Sequence, residues 1–143
     1  MDETADMTQM QAMNDTALGT MARSDKGIMA PAPQLDGPLQ TVATAVSAWP
    51  GISASTHWHF YDRSRVDGVD FYLGDEELGH IHVDGSLHLT TSPSLGKALV
   101  AGRLARPFPY QRGWVCEDIY DIGAPAAITL FRSNYERLQS AAA

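Results

Sequence analysis

Residues 69–90 read VDFYLGDEELGHIHVDGSLHLT, and the punctuation of this stretch decides the fold. Val69, Phe71 and Leu73 alternate with Asp70 and Tyr72, which predicts a strand with one apolar and one polar face. Gly74-Asp75 turns the chain into a second run, Glu77 to Val83, and Asp84-Gly85 turns it again into Ser86 to Thr90. Upstream, Asp67-Gly68 reads as another turn, preceded by Ile52 to Tyr61, which is rich in β-branched and aromatic residues. Three short turns joining alternating segments predict an antiparallel meander.

Helices flank this block. Pro38 sits where a helix accepts its first residue, Leu39, Val42, Ala45, Val46 and Trp49 follow at helical spacing, and Pro50-Gly51 stops them. Ser92 and Pro93 open a second helix carrying Leu95, Ala98, Leu99 and Leu104. Arg106 to Arg112 reads as a loop, Gly113 to Ile122 as a fifth strand, and Pro125 starts a closing helix with Ala127, Ile128, Phe131, Tyr135 and Leu138 on one stripe. The order α-β-β-β-β-α-β-α predicts an α+β domain, an antiparallel sheet of about five strands with helices on one face.

The chain has 143 residues, 44% of them apolar, which suits one domain with an ordinary core. All six methionines lie at or before Met29, and this part of the chain is otherwise polar and acidic. Residues 1–36 are therefore read as a Met-rich acidic tail, and 37–143 as a single domain. A helix over Met7 to Met21, docked in a partner's groove, is one use for that tail. The net charge of −7 argues against nucleic acid or an anionic membrane as partner. No apolar run is long enough to span a bilayer or to form a secretory signal, so a cytoplasmic location is expected.

Five histidines accompany only two lysines, and four of them form two His-x-His pairs, His57/His59 and His80/His82. Residues two apart on a strand share a face, so each pair presents two imidazoles together. Glu77 falls inside the same strand as His80 and His82, and these three are the expected catalytic residues. Ligand contact is assigned to Tyr72, Trp114, His57 and His59. Two or three imidazoles with a carboxylate such as Glu76 would be a valid zinc or non-haem iron set. Strands one and three, however, should lie about 9–10 Å apart, with a strand between them. No metal ligand is assigned for that reason, and the cofactor is left open. Asp75 and Glu76 read as a solvated turn, and Cys116 as a buried, inert thiol. Phe108, Tyr110 and Trp114 either anchor the core and its loop or rim a pocket.

Glu77-Leu78-Gly79-His80-Ile81-His82, followed by a glycine turn, resembles the signature of the luciferase-domain family. The likeness continues upstream in Gly68 to Leu73. Downstream it runs through Ala101-Gly102 and Gly113-Trp114-Val115 to Leu130-Phe131-Arg132-Ser133-Asn134-Tyr135-Glu136-Arg137. The resemblance spans residues 38 to 138 and singles out Glu77, Gly79, His80, His82, Gly113 and Trp114. It implies an α+β domain that binds a small molecule, with oxygenase-like chemistry on a hydroxypyrone or phenolic compound. The Pro107–Arg112 loop departs from the family pattern in carrying no histidine. The strand order and the Ser-Asn-Tyr helix are also similar to the YjbR-type fold. The alternative is a non-catalytic interaction module that binds a protein partner through the tail.

Overall fold

The computed structural model describes the backbone of residues 26–142. The Met-rich stretch and its candidate helix, up to residue 25, lie outside the described residues, and with them the tail-docking alternative. Helix α1 (Gly37–Ser47) leads into strands β1 (Ile52–Trp58), β2 (Val66–Leu73), β3 (Glu76–His82) and β4 (Ser86–Leu89). Helix α2 (Pro93–Ala101), strands β5 (Arg106–Pro107) and β6 (Val115–Asp118), a short helix α3 (Ile119–Ile122) and the long helix α4 (Ala124–Ala142) complete the order. All strand pairs are antiparallel, in the order β1-β2-β3-β4-β6-β5. The meander and the α+β class are as the alternation predicted.

Local chemistry accounts for the differences. The expected Asp67-Gly68 turn lies inside β2, and the chain reverses between His59 and Arg65, where the His59 N–H donates to Arg65 O. The fifth strand stops at Asp118, not Ile122, because the Asp118 carboxylate accepts from Tyr120 N at 2.8 Å and starts a helical turn. The expected loop after α2 contributes a sixth strand, with Arg106 opposite Cys116 and Pro107 opposite Val115. Helix α2 ends at Ala101, and Leu104 is left exposed beyond it. Ser92 caps α2 as expected, accepting from Leu95 N at 3.2 Å.

One face of the sheet carries Val69, Phe71, Leu78, Ile81, Leu87, Leu89 and Val115, all 1% exposed or less. Helices α1 and α4 pack on this face with Leu39, Val42, Val46, Ala127, Phe131 and Leu138. Each valine, leucine, isoleucine or phenylalanine among them, once buried, contributes roughly 1.5–3 kcal/mol. The segment ahead of α1, assigned to the tail, is also engaged. Leu35 is buried, Pro31 bridges to Ser55, and the Thr56 N–H donates to Ala30 O at 2.9 Å. Among the described residues no helix is long and apolar enough to cross a membrane.

Candidate functional site

The opposite face of the sheet is where the polar residues gather. Register places Ser55, Asp70, His80, His88 and Cys116 in one row across five strands. In the next row His57 and His82 flank Gly68. Gly68 has no side chain to separate them, and β2 runs so close to β3 there that a Cβ would lie 1.8 Å from Ile81 O. The rings of His57 and His82 therefore meet edge-on at 4.8 Å, and His57 stacks on His80 at 4.3 Å. The expected strand separation does not keep these imidazoles apart, because the strand between them offers glycine and a short aspartate.

Glu77 reaches this face through a β-bulge. Strict alternation would set it with Gly79 and Ile81, on the helix side. Instead Tyr72 pairs with Glu77 and Phe71 with Gly79, so Leu78 is the extra residue and drops into the core. The freed carbonyls are satisfied. Leu78 O accepts from Asn134 Nδ2 at 2.8 Å, and Glu77 O accepts from the Thr90 hydroxyl at 2.5 Å. Arg137 in turn donates to Asn134 Oδ1 and to Thr90 O. Glycine is required at position 79, where φ is +157° and a Cβ would stand 2.5 Å from His88 O.

The result is three imidazole–carboxylate pairs. His57 Nδ1–H donates to Asp70 at 2.7 Å, His80 Nδ1–H to Glu77 at 2.7 Å, and His82 Nδ1–H to Asp67 at 2.8 Å. A neutral ring that donates from Nδ1 carries a bare lone pair on Nε2. Those of His80 and His82 converge on His88 Nδ1, at 3.0 and 3.3 Å. Lys26 braces the other side, its Nζ 2.7 Å from Glu77 Oε1 and 3.7 Å from Asp70.

Burial and mutual repulsion favour the neutral form of His57, His80 and His88. Desolvation, reinforced by the neighbouring imidazoles, holds His80 and His88 well below the usual histidine pKa. Desolvation also lowers His57, outweighing Asp70. Burial opposes ionisation of Asp67 and Asp70, but their histidine partners win and lower both carboxyls. For Glu77, burial and Asp70 outweigh Lys26, and the pKa rises. Burial alone would lower Lys26, yet Glu77 and Asp70 raise it. The side chains of His57, His80 and His82 remain 16%, 8% and 12% exposed, so the cluster is reachable from one side.

Of the residues assigned to function, Glu77, His80, His82 and His57 come together here. Tyr72 lies beside them, opposite Glu77 and with its ring 5.7 Å from Lys26 Nζ. Trp114 is one ring removed. It stacks on Phe108 at 5.8 Å, and Phe108 packs on His88 at 4.4 Å, so the Pro107–Arg112 loop presents an aromatic wall. His59 does not join. The chain leaves the sheet after Trp58, and His59 Nδ1 accepts from the Tyr61 and Asp62 backbone in the turn. Glu76 and Asp75 are exposed, as a solvated turn should be. Burial raises the Cys116 thiol.

His88, Asp67, Asp70 and Lys26 are the site residues that sequence reasoning did not assign. For His88 the signal was its place between Leu87 and Leu89, two core residues, which sends it to the other face. As to metals, His57, His80 and His82 each offer a ligand atom within 4.8 Å of the others. Asp70, Glu77 and His80 form a second such group, but the Lys26 ammonium already sits against both of its carboxylates. A surface cavity elsewhere, lined by Ala32, Pro33, Gln40 and Thr44, has no titratable residue in its wall.

The model of the luciferase-domain family matches residues 75–129, from the β2–β3 turn into α4. This bears out the resemblance carried by Glu77 to His82 and by Gly113-Trp114. No curated protein and no solved structure gives a significant match, so the likeness to a YjbR-type fold rests on the sequence pattern alone.

Proposed function

We propose, taking the luciferase-domain match over residues 75–129 as the premise, that the histidine face binds a small molecule and supports oxygenase-like chemistry on it. The ligand class is a flat ring bearing an acidic hydroxyl, a hydroxypyrone or a phenol. One observation carries this reading: His80 and His82 hold their Nδ1 protons on Glu77 and Asp67 and so turn their Nε2 atoms towards one place, at His88 beside Phe108. A ring lying against Phe108 can donate its hydroxyl to Nε2 of His80 or His82. A neutral imidazole is the form that accepts such a hydrogen bond, and burial favours that form of His80. Glu77 orients His80 through its Nδ1, and Lys26 braces the other oxygen of that carboxyl. A hydroxyl that shares its proton with an imidazole in this way makes its ring more electron-rich, which favours reaction with oxygen.

A thermal-shift screen of hydroxypyrones and polyphenols tests the reading. The wild type should be stabilised by at least one member of the class, and the His80→Ala/His82→Ala double variant by none. Equal shifts in both proteins would sink the assignment.

A further inference from the structure

We propose that His57, His80 and His82 form a three-imidazole centre for a divalent first-row transition ion such as zinc or iron(II), bound through their Nε2 atoms. The proposal rests on the histidine face being the site, and on nothing about the organic ligand. Its first support is the arrangement around the rings. Each Nδ1–H is held by its own carboxylate, Asp70, Glu77 or Asp67, at 2.7–2.8 Å. That is the outer shell that fixes ring orientation and tautomer in histidine metal sites and makes the imidazole a better donor.

The second support is an unmet lone pair. His88 Nδ1 is within reach of both His80 Nε2 and His82 Nε2, yet a neutral ring carries one proton there at most. One of the two lone pairs is left over, and an ion would satisfy both. Zinc–nitrogen bonds are about 2.0–2.1 Å; one ring nitrogen of each histidine lies within 4.8 Å of the others, so binding draws them in by roughly 1 Å and swings His57 out of its parallel stack on His80, so that both lone pairs aim at the ion.

Charge is the third support. Among the described residues three carboxyl groups, Asp67, Asp70 and Glu77, gather here with one ammonium, that of Lys26, an excess of acidic groups that a divalent cation would balance. The donor set selects the ion. Neutral nitrogens suit zinc, iron, copper or nickel, and offer nothing to magnesium or calcium, which want oxygen. Three protein ligands leave a fourth position, and His88 Nδ1, 3.0 and 3.3 Å from the His80 and His82 ligand atoms, stands beside it.

The test uses the full chain without a histidine tag, stripped with chelator and titrated with zinc by calorimetry. About one equivalent should bind, and the thermal midpoint should rise with zinc concentration. Asp67→Ala touches no ligand atom, and loss of this outer carboxylate should weaken zinc about 10–100-fold. His82→Asn should abolish stoichiometric binding. Cobalt(II) supplies a readout on the wild type alone, with the intense visible bands of a low-coordinate nitrogen site expected. Absence of stoichiometric zinc, unchanged affinity in Asp67→Ala, or a cobalt spectrum like that of the aqueous ion would each overturn the proposal. Failure here is separable from failure of the ligand reading: stripped protein that still binds a phenol keeps the site and loses the ion, whereas zinc-loaded protein that binds none keeps the ion.

Discussion

The two faces of the sheet are built from alternate residues of the same strands, yet they follow opposite rules. The helix face buries Phe71, Ile81, Leu87 and Leu89 and is held by contact area. The histidine face buries Asp70, Glu77 and His80, each of which costs free energy unless partnered. One face is therefore tolerant of chemistry but sensitive to volume, and the other the reverse. The comparison can be broken by three experiments.

The largest effect belongs to the helix face. Phe131 is fully buried and meets Phe71 edge-on at 5.4 Å. Phe131→Ala should cost about 3–5 kcal/mol in denaturant unfolding. Phe131→Leu, which keeps most of the volume, should be much milder. If the two variants were equally damaging, the volume argument would fail.

A middle effect sits where the faces touch. Asn134 is on the helix side, but its amide holds the Leu78 carbonyl and with it the bulge that turns Glu77 towards His80. Asn134→Ala leaves a buried carbonyl short of a donor, a loss of about 1–3 kcal/mol. It should also disturb the His80 ring signals in NMR, though His80 lies on the far face. A variant that lost stability with unchanged His80 signals would detach the bulge from the site.

The smallest effect is a pH dependence. His57, His80 and His88 titrate below the ordinary histidine range when folded, and near about 6.5 when unfolded. Between those values the unfolded chain holds more protons, so stability falls as pH drops below about 6.5. Glu77 acts in the opposite direction and higher up its own range. Its raised pKa means that its contribution is lost as pH climbs above about 4.3. Unfolding curves at pH 7 and pH 5.5 should show the histidine slope, and His88→Leu should flatten it. A slope unchanged in that variant would show that His88 is not among the groups held neutral.

Much of the fold was legible in residues 69–90, because alternation and glycine turns are local and the pleat repeats every two residues. Same-face placement of His80 and His82 followed from that spacing alone. Two parts of the site did not. Glu77 sits on the face that alternation denies it, since a single extra residue, Leu78, resets the register, and the groups that stabilise this bulge lie 13 and 56 positions away in sequence. His88 depends on the β3–β4 hairpin. A two-residue Asp84-Gly85 turn would set His88 opposite Ile81, whereas the observed pairing of His80 with His88 needs a three-residue connection ending in left-handed Gly85, φ +102°. The sequence by itself determined which segments are strands and which residues could do chemistry, because both are properties of neighbours. Only the tertiary structure decided that His57 crosses the bare position at Gly68 to reach His82, and that Lys26 returns to Glu77. Such encounters are set by register and closure, which no short window of sequence contains.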